Sequence, residues 1–333
     1  MVREAAVLER ERSGLEHVLL HRRWFLHYAS PLFHFECSQL SEYAHDLVKT
    51  LRAAALRACG QQFGYSVSIQ NAEKLVVFEI HEERDNRRNI KVNATLAQGE
   101  GFERSGGFVL YLQTDVEQRF PPKGRERQQL ILMRGDAELL RWICSWLQHC
   151  FQCVVSIHVV HIQQQNLKRM ARDWAVASLV AEEISIVSEE RGGDSQEIQA
   201  NYFGRYNEPP KAPLLLEYRA TNEAGVLRTY TMTVPWVTLR RLFWQNNDRS
   251  KGNHPHPHVP ELIELVELLY FDSLPFDLST CELERVEMQQ VVIHSNGSVE
   301  LYSMDFVHAV LTTLLELPAL QSRATYSCPE TTL

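Results

Sequence analysis

Three histidines at alternate positions are the residues best suited to metal chemistry. His254, His256 and His258 stand in the polar loop 246–258 and are separated by prolines. An extended strand would point all three imidazoles to one side, as a metal site needs. Prolines instead favour the polyproline helix, whose three residues per turn direct alternate side chains apart. The HPHPH segment also contains no carboxylate to orient a ring. The sequence therefore predicts a solvated loop and no metal, with a metal-dependent enzyme as the alternative.

The cysteines are the second group with possible chemistry. There are seven and they are scattered, an odd set that suits a reducing compartment. Cys150 and Cys153 form one CxxC pair. A structural zinc needs four ligands, and no second pair stands at a suitable spacing. A redox CxxC opens a helix, whereas this pair closes a predicted one, so we expect packed thiols at both positions.

Known catalytic motifs are absent from the sequence. It contains no GxSxG, no phosphate-binding GxxxxGK[ST], no HExxH and no GxGxxG. Combinations of serine, histidine and aspartate can be chosen at will among fourteen histidines, so none of them carries weight. The sequence predicts a protein that is not an enzyme and that takes no cofactor.

Charge and hydropathy also argue against secretion and membrane insertion. The first twenty residues carry charged side chains such as Arg3 and Glu4 before any apolar run, unlike a secretory signal. The longest nearly apolar stretch, 153–162, is far shorter than the ~20 residues of a membrane-spanning helix. We expect an intracellular protein with no membrane partner.

Positive charge is concentrated in a few loops of a chain that is acidic as a whole. Lysine and arginine total 34 against 42 acidic residues, a formal charge of −8, so bulk electrostatics do not favour nucleic acid. A few local cations can still contact phosphates. The candidate DNA-contacting residues lie in predicted loops at strand ends: Arg87, Arg88, Lys91, Arg104, Lys123, Arg125 and Arg127. If these loops meet at one rim of a sheet they form a basic ledge; the alternative is a set of solvated turns. The next candidates share part of one predicted helix face: Lys168, Arg169 and Arg172.

The elements that position these residues follow from hydrophobic periodicity. Helical spacing predicts helices at 15–26, 40–56, 137–150, 166–180, 236–245, 261–271 and 304–317. Alternation and β-branched runs predict strands at 65–69, 74–80, 90–96, 108–114, 129–133, 153–162, 214–220 and 226–234, and a short extended segment at 32–35. The order predicts an α+β fold: a curved, mainly antiparallel sheet with helices packed on one face, plus a smaller C-terminal α+β unit.

Length and composition predict the domain organisation. At about 150 residues per domain, 333 residues suggest about two domains. Glycine, proline and acidic residues accumulate between 188 and 213. We therefore predict an N-terminal domain at 1–182, a loop or linker at 183–213 and a C-terminal dimerisation domain at 214–333.

A predicted C-terminal hairpin is the best candidate for a protein interface. Residues 286–294 and 299–303 read as two strands joined by a turn at Asn296-Gly297. A free strand edge invites pairing with another chain. The candidate interface residues are Gln290, Val291, Val292, Ile293, Val299 and Leu301. The alternative is a hairpin that is fully paired within its own sheet.

Residues 15–47 combine several short motifs in a fixed order. A leucine-rich helix ending in a basic residue and Trp24 precedes Ser30-Pro31-Leu32, then Phe33-His34-Phe35, then Leu40-Ser41-Glu42-Tyr43. Further along, 130–153 combines a small-residue break, a tryptophan-rich helix and a terminal cysteine, and Asn166-Leu167 opens the next helix. With a weaker match at 283–317, about a third of the chain resembles the centromere protein L family of the constitutive inner-kinetochore network.

This resemblance implies a scaffold and not a catalyst. It implies an α+β fold with a curved sheet and a heterodimer with centromere protein N, formed through strand pairing in the C-terminal region. It also implies a nuclear protein of the centromere and kinetochore. There it would bind other inner-kinetochore subunits, the centromeric nucleosome and the DNA backbone during kinetochore assembly and chromosome segregation. The alternative function is a generic protein-interaction adaptor with no DNA role.

Overall fold

The computed structural model describes residues 14–60, 63–72, 74–83, 104–112, 129–192, 211–221, 227–250, 261–271, 278 and 281–325. In chain order its strands are β1 (Arg23–Ala29), β2 (Gly64–Ala72), β3 (Leu75–Glu83), β4 (Ser105–Tyr111), β5 (Gln129–Arg134), β6 (Leu214–Thr221), β7 (Leu227–Val234), β8 (Glu282–Glu287), β9 (Val291–His294) and β10 (Ser298–Leu301). The longer helices are α1 (Leu40–Cys59), α2 (Ala137–Phe151), α3 (Gln164–Gly192), α4 (Trp236–Ser250), α5 (Leu262–Phe271) and α6 (Met304–Thr325). The predicted α+β class is confirmed, with antiparallel strand pairing.

The chain divides into two compact units that are not contiguous in sequence. The first unit takes the described residues up to Val160, together with Gly297–Asp305 and Leu314–Ala319. The second takes His161–Asn296, Phe306–Thr313 and the described residues from Leu320 onward. The predicted domains at 1–182 and 214–333 follow sequence order, whereas these units exchange segments near the C-terminus. The predicted domain organisation therefore stays a prediction.

The first unit is a sheet in the order β2-β3-β4-β5-β1-β10, with α1 and α2 on one face. Phe78 and Phe108 stack on that face with ring centroids 4.4 Å apart, and Trp146 of α2 lies 6.0 Å from Phe108. The Asp136 side chain accepts hydrogen bonds from the Glu138 and Leu139 amides and so caps the start of α2. Because side chains alternate along a strand, Val77 and Val109 point to the opposite face, where they are also buried.

The second unit has strands in the order β9-β8-β6-β7. Leu216 and Tyr218 of β6 and Met232 of β7 point to one face and are buried. The Tyr218 hydroxyl donates to Glu267 of α5 at 2.7 Å, so α5 lies over that face. Alternate residues of β7 point the other way and are exposed. One face of this sheet is therefore covered and the other carries polar side chains.

Three local predictions near β1 are wrong. The helix predicted at 15–26 ends at residue 19, because His21 has φ 56° and the chain turns there into β1. The segment 32–35 is a turn and not extended, with His34 at φ 58°. The strand predicted at 153–162 is an irregular segment held by one bridge, Ala29 to Val155, and by backbone hydrogen bonds to β1. Contacts outside the segment accompany each of these conformations: His21 donates to Leu301 of β10, Phe33 donates to Phe151 of α2, and Val155 pairs with Ala29 of β1.

The remaining differences concern element ends. α3 continues to Gly192 instead of ending near 180, so it includes the start of the predicted linker at 183–213. The strand predicted at 90–96 and the rest of that linker up to 210 lie outside the described residues. The strand predicted at 286–294 is interrupted: the chain reverses at Met288, whose amide donates to the Val291 carbonyl at 2.8 Å.

Candidate partner and DNA interfaces

Most of the predicted DNA-contacting residues fall outside the described part of the chain. Arg87, Arg88, Lys91, Lys123, Arg125 and Arg127 are all in this group. Arg104 is described and lies directly before β4. The structure does fix where the basic connections, 84–103 and 113–128, are attached to the sheet.

The two basic connections leave from opposite ends of the same strands. The first joins the end of β3 to the start of β4, where His81 pairs with Ser105. The second joins the end of β4 to the start of β5, where Tyr111 pairs with Leu130. The seven residues of β4 separate these attachment points by about 20 Å at ~3.3 Å per residue. The attachment points therefore do not share one rim, which was the condition for a single basic ledge.

Arg104 is surrounded by carboxylates of its own chain. Its Nε lies 3.4 Å from Asp136 and 3.9 Å from Glu82, and its Nη1 lies 3.3 Å from Glu138. Partial burial lowers the pKa of the Arg104 guanidinium, and these three carboxylates outweigh that effect so that its pKa is raised. A DNA phosphate would have to compete with these partners, and the DNA role of Arg104 stays a prediction.

The cations predicted on α3 also have acidic partners. Lys168 lies 2.7 Å from Glu267, and Arg172 pairs with Glu261. Arg169 pairs with Asp173 on its own helix at 3.6 Å. Since Glu267 belongs to α5 and Glu261 directly precedes it, the first two pairs hold α3 against that helix. In the described residues these side chains serve packing within the second unit.

Five of the six residues predicted for the partner interface lie in β9 and β10, and Gln290 directly precedes β9. Val291, Val292, Ile293, Val299 and Leu301 are each at most 1 % exposed; Gln290 is partly exposed. Val292 pairs with Glu287 of β8, and Ile293 pairs with Val286. Val299 pairs with Trp24 of β1. These strands already have neighbours within the chain, so the structure favours the paired alternative. An interface role for these six residues stays a prediction.

The exposed strand edge of the second unit is instead β7. It pairs with β6 along its whole length, from Leu214–Val234 to Thr221–Leu227. It stands last in the strand order, so among the described strands nothing pairs with its other side. Thr229, Thr231 and Thr233 are exposed on the open face. A strand with one unpaired row of backbone amides and carbonyls can accept a strand from another protein.

Apolar side chains lie on the elements next to this edge. Leu227 of β7 is 59 % exposed, Val237 of α4 is 76 % exposed and Leu268 of α5 is 62 % exposed. The Tyr270 hydroxyl of α5 donates to the Thr233 carbonyl of β7 at 3.4 Å, which links α5 to the strand. The sequence predicts strands at 214–220 and 226–234, which are confirmed as β6 and β7, but it does not predict the free edge. The available signal was the alternation of threonine with Tyr230 and Met232 over eight residues.

The structure describes the two cysteines of the CxxC pair but not the three histidines of the HPHPH segment. Cys153 is buried and its Sγ donates to the Leu147 carbonyl at 3.4 Å, while Cys150 is partly exposed. Burial raises the pKa of both thiols, which keeps them protonated near neutral pH. The three histidines of HPHPH lie outside the described residues. Within the described ranges no group of histidine, cysteine or acidic side chains is placed to hold a metal.

Comparisons with known proteins give one family. A family model described as Centromere protein L matches residues 18–319 of the 333 residues. A search of curated proteins returned no match. None of the helices in the described ranges has the length and apolar character needed to span a bilayer.

Proposed function

The chain belongs to the centromere protein L family, and from that premise we propose that it is a non-catalytic scaffold that forms a heterodimer with centromere protein N. Family membership makes it a subunit of the centromere and kinetochore, and hence a nuclear protein. The finer proposal includes its partners in the constitutive inner-kinetochore network, namely the other subunits, the centromeric nucleosome and its DNA. There it would support kinetochore assembly and chromosome segregation.

The free edge of β7 is the observation that carries the heterodimer proposal. A partner strand placed along 227–234 would satisfy the outward row of backbone groups. Side chains on the open face would add specificity, since Leu227 and the threonines at 229, 231 and 233 all point to that face. The proposal therefore assigns dimerisation to β7 instead of to β9 and β10, whose predicted interface side chains are mostly buried.

Proline substitution tests this assignment because proline removes one backbone donor. Adjacent residues of a strand direct their amides to opposite sides, so Tyr230→Pro and Thr231→Pro separate two effects. In one of the two variants the lost amide is one that donates to β6, so the ladder is broken and the chain is destabilised. The other removes an outward amide; we expect it to keep the wild-type free energy of unfolding in urea and to lose the complex. The readout is size-exclusion chromatography after co-expression with centromere protein N.

The matched control uses β2, which stands at the end of the first unit's strand order. Asn71 is an exposed residue of β2, and its amide points away from β3 because its partner Val76 directs its own backbone groups toward β4, as Glu82 does. Asn71→Pro is expected to leave a 1:1 complex intact. A wild-type chain that elutes apart from centromere protein N contradicts the heterodimer. A complex that survives both β7 variants moves the interface away from this edge.

For DNA contact we propose the basic residues of the two long connections. The described cations near them have acidic partners, as Arg104 does, so the remaining candidates are Arg87, Arg88, Lys91, Lys123, Arg125 and Arg127. Phosphate contacts of this kind supply affinity without reading the sequence of bases. Because the connections attach about 20 Å apart along β4, each one can contact DNA independently.

Two double charge reversals test the connections separately. Arg87→Glu with Arg88→Glu changes the first, and Lys123→Glu with Arg125→Glu changes the second. Each phosphate contact that is lost should reduce the magnitude of the slope by about 0.9 when the logarithm of the DNA association constant is plotted against the logarithm of the salt concentration. Arg52→Glu with Arg57→Glu, on the exposed side of α1, is the matched control and should leave the slope unchanged. An unchanged slope for both test variants removes these connections from the DNA surface.

A generic adaptor without a DNA role is the second candidate function. The acidic total charge of −8 favours it, and so does the internal pairing of the described candidates Arg104, Lys168, Arg169 and Arg172. In that case the heterodimer should show no salt-sensitive DNA binding at all. The same titration of the wild-type pair therefore decides between the two functions.

A further inference from the structure

Two arginines in the first unit share a single carboxylate oxygen. Arg22 Nη1 lies 3.0 Å from Glu79 Oε1, and Arg134 Nη2 lies 3.9 Å from the same atom. The exposed His81 places its Nε2 3.4 Å from that oxygen as well. We call the group formed by Arg22, Arg134 and Glu79 the arginine notch.

The antiparallel register of three strands builds the arginine notch. Glu79 of β3 pairs with Gly107 of β4, and Gly107 pairs with Arg134 of β5, so the three positions face the same side. A Cβ at Gly107 would lie 2.2 Å from the Phe78 carbonyl oxygen, so this position requires glycine. No side chain therefore stands between Glu79 and Arg134, which can approach across an intervening strand.

The Arg134 guanidinium is held in place, but two of its nitrogens have no hydrogen-bond acceptor in the described part of the chain. It lies over the Trp24 ring, 5.5 Å from the centroid, which fixes its plane. Its Nε and Nη2 are buried and have no hydrogen-bond acceptor among the described residues. Burial lowers the pKa of Arg134, and the neighbouring Arg22 charge lowers it further, while Glu79 opposes both.

The charges of the arginine notch do not balance. Two guanidinium groups face one carboxylate, which leaves one positive charge without a counterion among the described side chains. A buried charge is costly unless it is paired. The side chains of Arg22 and Arg134 are 22 % and 20 % exposed, so a small group can reach them from solvent.

We propose that the arginine notch binds one oxyanionic group, a carboxylate or a phosphate, between Arg22 and Arg134. Guanidinium groups offer parallel donors that match the geometry of both anions. Both arginines approach the same Glu79 oxygen within 4 Å, so one oxyanion beside Glu79 can bond to each. The oxyanion would supply acceptors for the Nε and Nη2 donors of Arg134, which no acceptor among the described residues satisfies. Partial burial strengthens the interaction relative to an exposed ion pair.

Anion-dependent melting of the full-length chain tests the proposal. Inorganic phosphate and acetate are titrated against sodium chloride at equal ionic strength, because a ligand bound only by the folded state raises Tm. The proposal predicts that at least one of the two anions raises Tm above the chloride baseline. The more effective anion identifies the chemical source, phosphate or carboxylate.

Neighbouring arginines provide the test variant and its control. Arg22→Gln removes one guanidinium of the arginine notch and should abolish the rise in Tm. Arg23→Gln removes the next arginine, which is exposed and donates to Ser298 at 3.0 Å, and should retain the rise. A rise that persists in Arg22→Gln overturns the proposal, and so does a wild-type chain with no rise above chloride.

We expect Glu79→Gln to strengthen anion binding, the opposite of the effect of Arg22→Gln. Removing the competing carboxylate leaves both arginines without their acidic partner. We expect the dissociation constant of the effective anion to fall by about tenfold, equal to ~1.4 kcal/mol. A salt bridge with only a structural role predicts no such gain, so an unchanged or weaker affinity contradicts the proposal. This experiment uses no partner protein and is independent of the heterodimer.

Discussion

The sheets of the two units differ in how many of their faces are buried. In the first unit, neighbouring residues of β3 such as Val77 and Phe78 are both fully buried although they point to opposite faces. In the second unit, Met232 of β7 is buried while its neighbours Thr231 and Thr233 are exposed. The difference separates a sheet whose central strands are buried on both faces from one whose edge strand β7 has an open face. A strand from a partner has access to the second kind.

The largest expected effect tests burial in the first unit. Phe108 is fully buried and packs against Phe78 and Trp146. We expect Phe108→Ala to reduce the free energy of unfolding by about 3–5 kcal/mol. Phe271 of α5 in the second unit is 52 % exposed, and Phe271→Ala should cost less than ~0.5 kcal/mol. Urea denaturation measures both, and equal losses would contradict the contrast.

Glycine substitutions separate backbone strain from close packing. Gly60 and Gly297 both have positive φ, 66° and 78°. A Cβ at Gly297 would lie 2.0 Å from the Val160 carbonyl oxygen, whereas nothing lies within 4 Å of one at Gly60. Gly60→Ala should cost about 1 kcal/mol for the backbone alone, and Gly297→Ala about 1–3 kcal/mol more. Thermal or urea unfolding of the two variants gives the comparison.

Equal losses of unfolding free energy in the two glycine variants would mean that only the positive φ of Gly297, and not close packing, disfavours a side chain there. They would also mean that the segment around Val160 moves aside without cost.

A smaller effect depends on pH and concerns a buried histidine of β1 in the first unit. His27 is 1 % exposed, and its Nδ1 donates to the Ser156 carbonyl at 2.8 Å. Burial lowers the pKa of His27 below 6.5, although the bond to Ser156 opposes the shift. The unfolded chain binds the proton of His27 more readily than the folded chain does. The stability that neutral His27 contributes is therefore complete above pH 6.5. It is lost as pH falls from 6.5 through the lower folded value.

The variant His27→Asn keeps a donor toward Ser156 but cannot titrate. Its free energy of unfolding should therefore fall less than that of the wild type between pH 7.5 and 5.5. His45→Asn, on an exposed position of α1, serves as the control and should follow the wild type. Equal pH dependence in His27→Asn and wild type would show that protonation of His27 is not linked to folding.

The smallest expected effect lies on the open face of the second unit. Thr231→Val keeps the shape and β propensity of an exposed position. It should change the free energy of unfolding by less than ~0.5 kcal/mol. A loss above 1 kcal/mol would mean that this face is packed and not open. Chemical denaturation of the chain without a partner is the measurement.

The contrast between the two sheets is visible in the sequence. β3, β4 and β5 read LVVF, FVLY and LILM, continuous apolar runs that are typical of strands buried on both faces. β7 reads LRTYTMTV, an alternation that is typical of one exposed face. Element type and fold class could therefore be predicted where the pattern is long. The helix predicted at 15–26 includes Trp24 and Leu26 of β1, because the spacing of these two residues fits both the helical and the strand period.

Strand order could not be predicted from local patterns. The pairing of Val292 with β8 and of Val299 with β1 joins segments that local patterns do not relate, and Val299 is 275 residues from Trp24. The acidic environment of Arg104 depends likewise on Glu82 and Asp136, which come from different strand ends. The arginine notch shows the same limit, since its members are distant in sequence and meet only through register.

Hydrogen–deuterium exchange on the chain alone and with centromere protein N would test the central claim most directly. The account predicts slower amide exchange at 227–234 on complex formation, with alternate amides of β7 protected. Exchange at 64–72, the other edge, should not change. Protection that excludes 227–234, or no protection at any position, would contradict the assignment of β7 as the partner interface.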